Sequence, residues 1–257
     1  MKRVALLALL VLPAVALSAG DDGFANLPGG AFRSTLKYKD IVGAQRVAPF
    51  ALMRRPVTNA EFLAFVTSHP EWKRDRVPAV FAEQRYLSQW AGPLTLGDKA
   101  GPQQPVTWVS WFAAKAYCEA QDASLPTWNQ WEYAAAADET RRDARKDPAW
   151  RQRILDWYSR PSSQSLPRAG LQAPNFYGVQ DLHGLVWEWT DDYASMLVTD
   201  DSRGQGDVGL AKFCGGGGLS TDDVANYAVL MRVAMLSSVQ ASDGTANLGF
   251  RCARSKP

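Results

Sequence analysis

Two carboxylates and a histidine stand close together in one short stretch of the sequence, at Asp181, His183 and Glu188. The two acids flank Gly184, and such a segment can fold around a hard cation whose oxygen shell is completed by loop carbonyls, as calcium requires. A capped turn with surface acids is the alternative. His183 beside Asp181 also resembles a general acid–base pair, but no serine or cysteine nucleophile is identifiable next to it. We therefore favour a structural, hydrogen-bonded histidine.

Other common catalytic signatures are missing from the chain. It contains no H-E-x-x-H, G-x-S-x-G, Walker or C-x-x-C motif. The glycine run at 215–218 lacks the strand, helix and distant acid of a dinucleotide site, so a turn is the better interpretation. His69 and His183 are the only histidines, which excludes a histidine-rich metal cage. A formal net charge of +2 is too small for a protein that binds nucleic acid by neutralising phosphates.

The first residues have the pattern of a secretory signal peptide. Two basic residues precede an apolar run over 4–17, and small residues follow at 18–20. A membrane anchor is the rival interpretation, but the run is short for a membrane span and Pro13 interrupts it. We predict a signal peptide over 1–19 and a mature domain over 20–257. The product is then periplasmic or secreted, with no membrane span after cleavage, in a compartment that permits disulfides.

Local signals along the mature chain predict helices with well-defined beginnings. Thr58 with Glu61, and Thr127 with Gln130, match the capping-box pattern, in which the two side chains satisfy each other's backbone amides. Ser110 is the expected N-cap of a further helix. These helices alternate with short strands and long loops, and no internal repeat is visible. The sequence predicts a loop-rich α+β protein with a single domain.

Strands are expected near both ends of the mature chain, over 24–32, at 45–50 and at 248–253. The prolines spread through 70–106 indicate a loop. Residues 138–153 carry charges that alternate in sign, which is typical of a solvated surface segment.

An ordered series of motifs runs through nearly all of the mature chain. In chain order they are Pro28-Gly29-Gly30-x-Phe32, Pro56-Val57-Thr58-Asn59-Ala60-Glu61-Phe62, Pro105-Val106-Thr107-Trp108-Val109-Ser110-Trp111, Ala116-Tyr117-Cys118, Leu125-Pro126-Thr127-x-x-x-Trp131-Glu132-Tyr133-Ala134-Ala135, Tyr177-Gly178, Gly184-x-Val186-Trp187-Glu188-Trp189 and Asn247-Leu248-Gly249-Phe250-Arg251-Cys252. This series resembles the formylglycine-generating enzyme (sulfatase-modifying factor) family. The resemblance implies the fold of that family, a loop-rich single domain related to the C-type lectin fold.

The resemblance also implies a disulfide and a metal site. Cys118 and Cys252 occupy the places of a cysteine pair that is joined in family members. A family calcium site uses the segment that matches Asp181, Gly184, Val186 and Glu188, where members commonly have asparagine at the first place. Aspartate keeps an oxygen ligand there, so we expect Ca²⁺ as a cofactor.

The family's copper chemistry is not expected in this chain. The enzymes bind Cu(I) with two cysteine thiolates, and an ungapped alignment back from Cys252 places Asp223 and Ala228 at those positions. Neither residue replaces a thiolate for a soft metal ion, so we predict no copper. A related non-haem iron branch depends on a histidine-rich helical domain, which two histidines exclude. Cys214 is the odd cysteine, and we favour a buried, inert role for it.

Three functions stay open. The segments 181–189, Phe213-Cys214-Gly215 and Asp223-x-x-x-Tyr227 resemble members that are accessory to copper nitrite reductase. The first hypothesis is an exported accessory or maturation protein for a periplasmic metalloenzyme, binding through a groove over 215–232. The second is an enzyme of different chemistry, whose acid–base candidates are Asp223, Tyr227, Arg232 and His183. The third is a lectin-like ligand-binding or structural module. The sequence makes no prediction of oligomeric state.

Overall fold

The computed structural model describes residues 23–35, 43–159, 165–193 and 227–255, with only the backbone of Tyr227–Leu230. The predicted signal peptide, Cys214 and Asp223 lie outside the described residues. Within them, no helix is both long and apolar enough to cross a membrane.

Three antiparallel strands form the main sheet, and they come from opposite ends of the chain. In the order β1–β4–β7 they are Phe24–Leu27, Phe50–Met53 and Ala253–Ser255. In the register, Phe24 lies opposite Met53 and Phe50 lies opposite Ser255. The last strand of the described chain is therefore hydrogen-bonded to a strand that is about 200 residues earlier in the sequence.

Two smaller ladders complete the strands. β2 (Gly30–Phe32) pairs antiparallel with β3 (Gln45–Val47), and β5 (Trp187–Glu188) pairs parallel with β6 (Leu248–Gly249). Residues 24–32 are thus two strands rather than the single one expected. The turn between them requires glycine at Gly29, where φ is +64° and an added Cβ would lie 2.3 Å from the carbonyl oxygen of Val47.

The three helices that the capping signals predict are confirmed. α1 (Asn59–Ser68) and α3 (Trp128–Ala135) begin at complete capping boxes, formed by Thr58 with Glu61 and by Thr127 with Gln130. α2 (Trp111–Glu119) begins after Ser110, whose side chain accepts from the amide of Ala113. Each cap satisfies backbone amides that the first turn of a helix leaves without partners.

The charge run at 138–153 is not simply a solvated segment, and that prediction is wrong in part. Helix α4 (Pro148–Tyr158) begins inside it, capped by Asp147, and buries Trp150 and Ile154. Asp138 is buried as well, and its carboxylate is held by the guanidinium and amide of Arg141. Hydrogen bonds from Arg141 hold the pKa of this carboxyl far below its usual range.

A fifth helix, α5 (Tyr227–Ser237), lies where the sequence suggested part of a binding groove. Its described side chains include Arg232, Val233 and Leu236, which are buried. Residues 227–232 are therefore part of a helix that packs into the core, and the remaining part of the predicted groove, 215–226, lies outside the described residues.

The core is rich in aromatic rings, and six of the ten tryptophans of the chain are buried. Phe62 is fully buried and lies within 6.3 Å, between ring centroids, of Phe65, Trp90, Tyr117 and Phe250. Most of these pairs are edge-to-face or tilted, the arrangements that aromatic rings prefer. The ring cluster joins α1, α2 and the C-terminal segment into one core.

The predicted disulfide between Cys118 and Cys252 is confirmed. It joins α2 to the residue that precedes β7, over a sequence separation of 134. Closing a loop of that length removes conformational freedom from the unfolded chain and so stabilises the fold.

A thiol count on the denatured protein, without reduction, checks this pairing. We expect one reactive thiol, Cys214, because the other two cysteines are joined. A Cys214→Ala variant is the control and should show none, whereas three thiols in the unsubstituted protein would contradict the pairing. The double variant Cys118→Ala, Cys252→Ala should lower the free energy of unfolding in urea by about 2–5 kcal/mol.

Candidate functional site

Glu188, a predicted calcium ligand, lies at the end of β5 with its side chain fully buried. Its carboxylate accepts hydrogen bonds from Nε and Nη2 of Arg251, at 2.8–3.1 Å, and from Nε1 of Trp131 at 2.8 Å. Its main-chain carbonyl accepts from the guanidinium of Arg232. All three oxygen atoms of Glu188 are therefore already bound by protein donors.

The partner of Glu188 is just as completely satisfied. Besides the carboxylate, the Arg251 guanidinium donates to the carbonyl oxygens of Met53 at 3.0 Å, Arg54 at 3.2 Å and Gln180 at 2.9 Å. A buried ion pair is stable only when the remaining donors and acceptors are also bonded, and here they are. The arrangement makes Glu188 part of the core, and its side chain does not fit a calcium shell.

Asp181, the other predicted carboxylate ligand, is placed differently. It is buried, with a left-handed backbone (φ +61°), and its carboxylate accepts from the amides of Gly170 and Gln172. Burial raises the pKa of Asp181 above its ordinary value, against the lowering effect of these amides. Among the described side chains, no three His, Cys, Asp or Glu lie together as a metal-binding group. Calcium binding stays a prediction, with Asp181 and loop carbonyls, including those of Gly184 and Val186, as the available ligands.

His183 has the structural role that the sequence favoured. Its Nε2 lies 2.9 Å from the carbonyl oxygen of Ala135, at the end of α3, and its ring packs edge-to-face with Trp131 and Trp150. Burial lowers the pKa of His183 to about 4, so the ring is neutral at neutral pH. No described hydrogen bond links it to Asp181. A weakly basic ring whose Nε2 is held by a carbonyl is poorly suited to general acid–base catalysis.

Arg232 is enclosed by tryptophans. Its guanidinium carbon lies 3.7 Å from the ring centroid of Trp131 and 5.5 Å from that of Trp128, and its Nη2 donates to Glu188. Burial lowers the pKa of Arg232 to about 10, which still leaves a cation at neutral pH. Its cation–π contacts stabilise a charge that has no direct carboxylate partner among the described residues. Arg232 supports the core and does not exchange a proton near neutral pH.

The enzyme hypothesis therefore loses two of its four candidates. His183 and Arg232 both pack against the ring of Trp131. The other two are not placed by the structure, because Asp223 lies outside the described residues and only the backbone of Tyr227 is described.

Sequence reasoning missed the groups that hold this region together. Arg251 and Trp131 lie in the quoted motifs, yet their contact with Glu188 spans 63 and 57 residues and no local pattern predicts it. Helix α4 did carry a signal, because Asp147-Pro148 is a helix start and Trp150 and Ile154 follow at helical spacing.

A comparison with known protein families supports the resemblance that the motifs indicated. The model of the sulfatase-modifying factor enzyme 1-like domain matches residues 18–256. The chain belongs to this family. The predicted loop-rich α+β fold of the formylglycine-generating enzymes, in a single domain, is thereby confirmed.

Proteins that are similar to this chain carry different names. The chain is 31% identical to the formylglycine-generating enzyme of Streptomyces coelicolor, over 90% of this chain and 88% of that protein. It is 29% identical to the inactive C-alpha-formylglycine-generating enzyme 2 of Mus musculus, over 98% and 92%. PvdO from Pseudomonas aeruginosa is a solved structure with a TM-score of 0.48 and 17% identity, covering 91% of this chain and 94% of that one. Family membership thus fixes the fold without fixing an activity.

Removing one partner of the buried pair should destabilise this family member strongly. Glu188→Ala leaves the Arg251 guanidinium buried without a counter-charge, and we expect a loss of about 3–5 kcal/mol in the free energy of unfolding. Urea denaturation measures it.

The matched control is Glu139→Ala, which breaks a pair with Arg153 whose side chains are 47% and 57% exposed. That change should cost no more than about 1 kcal/mol. Equal losses in the two variants would show that Glu188 and Arg251 do not form the central interaction.

Proposed function

We propose that this protein is an exported, non-copper member of the family that acts as an accessory or maturation protein for a periplasmic metalloenzyme, with copper nitrite reductase as the candidate client. In this role it contributes a binding surface rather than a catalytic centre. The predicted signal peptide over 1–19 supports the location.

The cysteine inventory is the observation that carries the proposal. The chain has three cysteines, and Cys118 and Cys252 are joined in the core. Only Cys214 remains to supply a thiolate, and one thiolate cannot form the two-thiolate site that Cu(I) has in the formylglycine-generating enzymes. The family's copper reaction therefore lacks its metal site in this chain, although the fold is retained.

The nature of the client rests on resemblance. The segments around Cys214 and from Asp223 to Tyr227, together with 181–189, resemble accessory proteins of copper nitrite reductase. In 181–189 most side chains are buried, and the polar groups of Asp181, His183 and Glu188 are hydrogen-bonded within the protein. The candidate contact surface is consequently the predicted groove at 215–226.

Affinity capture from a periplasmic extract tests the proposal. The mature protein, residues 20–257, should enrich a metalloenzyme that mass spectrometry and metal analysis identify. Asp223→Ala, inside the predicted groove, should reduce the recovery. The matched control is Asp75→Ala, an exposed acid far along the chain from the groove, which should leave recovery unchanged.

Two results would oppose the proposal. One is that no metalloenzyme is enriched over bare resin. The other is that purified copper nitrite reductase, tested directly by calorimetry, shows no binding to the mature protein.

We also propose that calcium binds at the loop of Asp181. The support is the family resemblance together with the chemistry of the segment, in which one buried carboxylate and a glycine turn at Gly184 (φ +106°) can present oxygen atoms to a hard cation. Glu188 does not take part in this version of the site, because its oxygen atoms are bonded to Arg251, Trp131 and Arg232.

Removal of calcium tests whether Asp181 binds the ion. We expect EDTA to lower the melting temperature of the unsubstituted protein and Asp181→Ala to abolish that difference, because alanine supplies no oxygen ligand to the ion. A melting temperature that EDTA leaves unchanged, with no calcium found by metal analysis, would contradict the site. Glu188→Ala is unsuitable for this test, since it also breaks the buried ion pair.

A further inference from the structure

A cavity of about 400 Å³ lies between α4, the end of α3 and the loop over 172–184. Its volume falls within the range of small-molecule sites, roughly 300–1,000 Å³. Asp181 and Gly184, two residues of the proposed calcium loop, lie in its lining, whereas the disulfide and the described residues 227–232 of the predicted groove do not. The rest of the lining calls for a separate account.

Aromatic rings form part of the cavity wall. Trp150 and Trp157, seven residues apart on the same face of α4, both line it. Trp157 is further fixed by Trp187, with ring centroids 5.3 Å apart. A tryptophan ring carries negative charge density on its faces and attracts organic cations, more strongly where water is excluded.

The charges of the lining are mostly negative. Four carboxylates, from Asp138, Glu139, Asp156 and Asp181, line the cavity together with the guanidinium of Arg153. Arg153 is engaged by Glu139 at 3.0 Å, and Asp138 is engaged by Arg141.

Of these four acids, Asp156 is the one that can form an ion pair with a bound cation. Its described partner is the neutral amide of Gln152, at 2.8 Å, and among the described residues no cation pairs with it. It directly precedes Trp157 along α4, so a negative charge stands beside an aromatic wall.

His183 adds a hydrogen-bond acceptor to the lining. Its Nε2 donates to the carbonyl of Ala135, which leaves Nδ1 as the acceptor of the ring, and no described group donates to that atom. Carboxylate and imidazole acceptors beside aromatic rings suit a ligand that is positively charged and rich in N–H donors.

We propose that this cavity binds a small organic cation with an ammonium or guanidinium head. The head lies against the tryptophans of α4 and donates to Asp156 and to His183. This inference does not depend on the proposed accessory role, because a small cation could be a free amine or the side chain of a client peptide. The experiment distinguishes these sources.

Isothermal titration with matched probes tests the cavity. Butane-1,4-diamine should bind saturably with one site per chain, whereas butane-1,4-diol, which has the same carbon chain without charge, should not bind. Asp156→Asn should weaken diamine binding about five-fold, the scale of one partly exposed ion pair. Asp156 is exposed, so the variant is expected to fold, and Asp75→Asn is the control that should leave binding unchanged.

Two further measurements identify the source of the organic cation and test whether calcium binds in its place. N-acetyl-arginine amide that competes with the diamine would indicate a peptide side chain, and binding of the diamine alone would indicate a free amine; both support a cation site. Equal binding of diol and diamine would overturn the proposal. Diamine binding that Asp156→Asn leaves unchanged would also overturn it, whether or not calcium displaces the diamine.

Discussion

The buried ion pair between Glu188 and Arg251 is the interaction on which the rest of the structure depends. Moving two charges out of water costs several kcal/mol for each ion, and their attraction offsets this only if every other donor and acceptor is bonded. Here the guanidinium reaches three further carbonyl oxygens and the carboxylate a tryptophan N–H. Four separate segments are consequently fixed around one pair of charges, and none can move without leaving a buried polar group unsatisfied.

The covalent and the ionic constraints act on the same short segment. Cys252 follows Arg251 directly and is tied to α2, while β7 begins at the next residue and pairs with β4. The unfolded chain would bring these segments together only at a large entropic cost, since the joined cysteines are 134 residues apart. A domain with such short strands gains little from any one ladder, so its closure relies on this concentration of contacts at the C-terminal end.

The parts of the fold that sequence could predict are those with local causes. The caps of α1, α2 and α3 depend on residues three positions apart, and all three were predicted correctly. The disulfide followed from family resemblance rather than from any local pattern. Helix α4 was missed because its surface charges were given more weight than its apolar spacing. The role of Glu188 could not be predicted, since a carboxylate in sequence gives no sign of whether a distant arginine or a metal ion will meet it.

The contacts of the motif residues explain how one family can include members with different activities. Tyr133 donates to the carbonyl of Gly29, Asn59 bonds the loop before α2, and Glu132 holds Ser34 and the amide of Thr35. Each contact positions backbone or core, and none presents a reactive group to solvent. Matching these motifs therefore specifies the fold, whereas activity depends on residues outside them. In this chain the joined pair Cys118–Cys252 serves the fold, which is retained. The second cysteine pair, which would bind copper, is absent from the sequence.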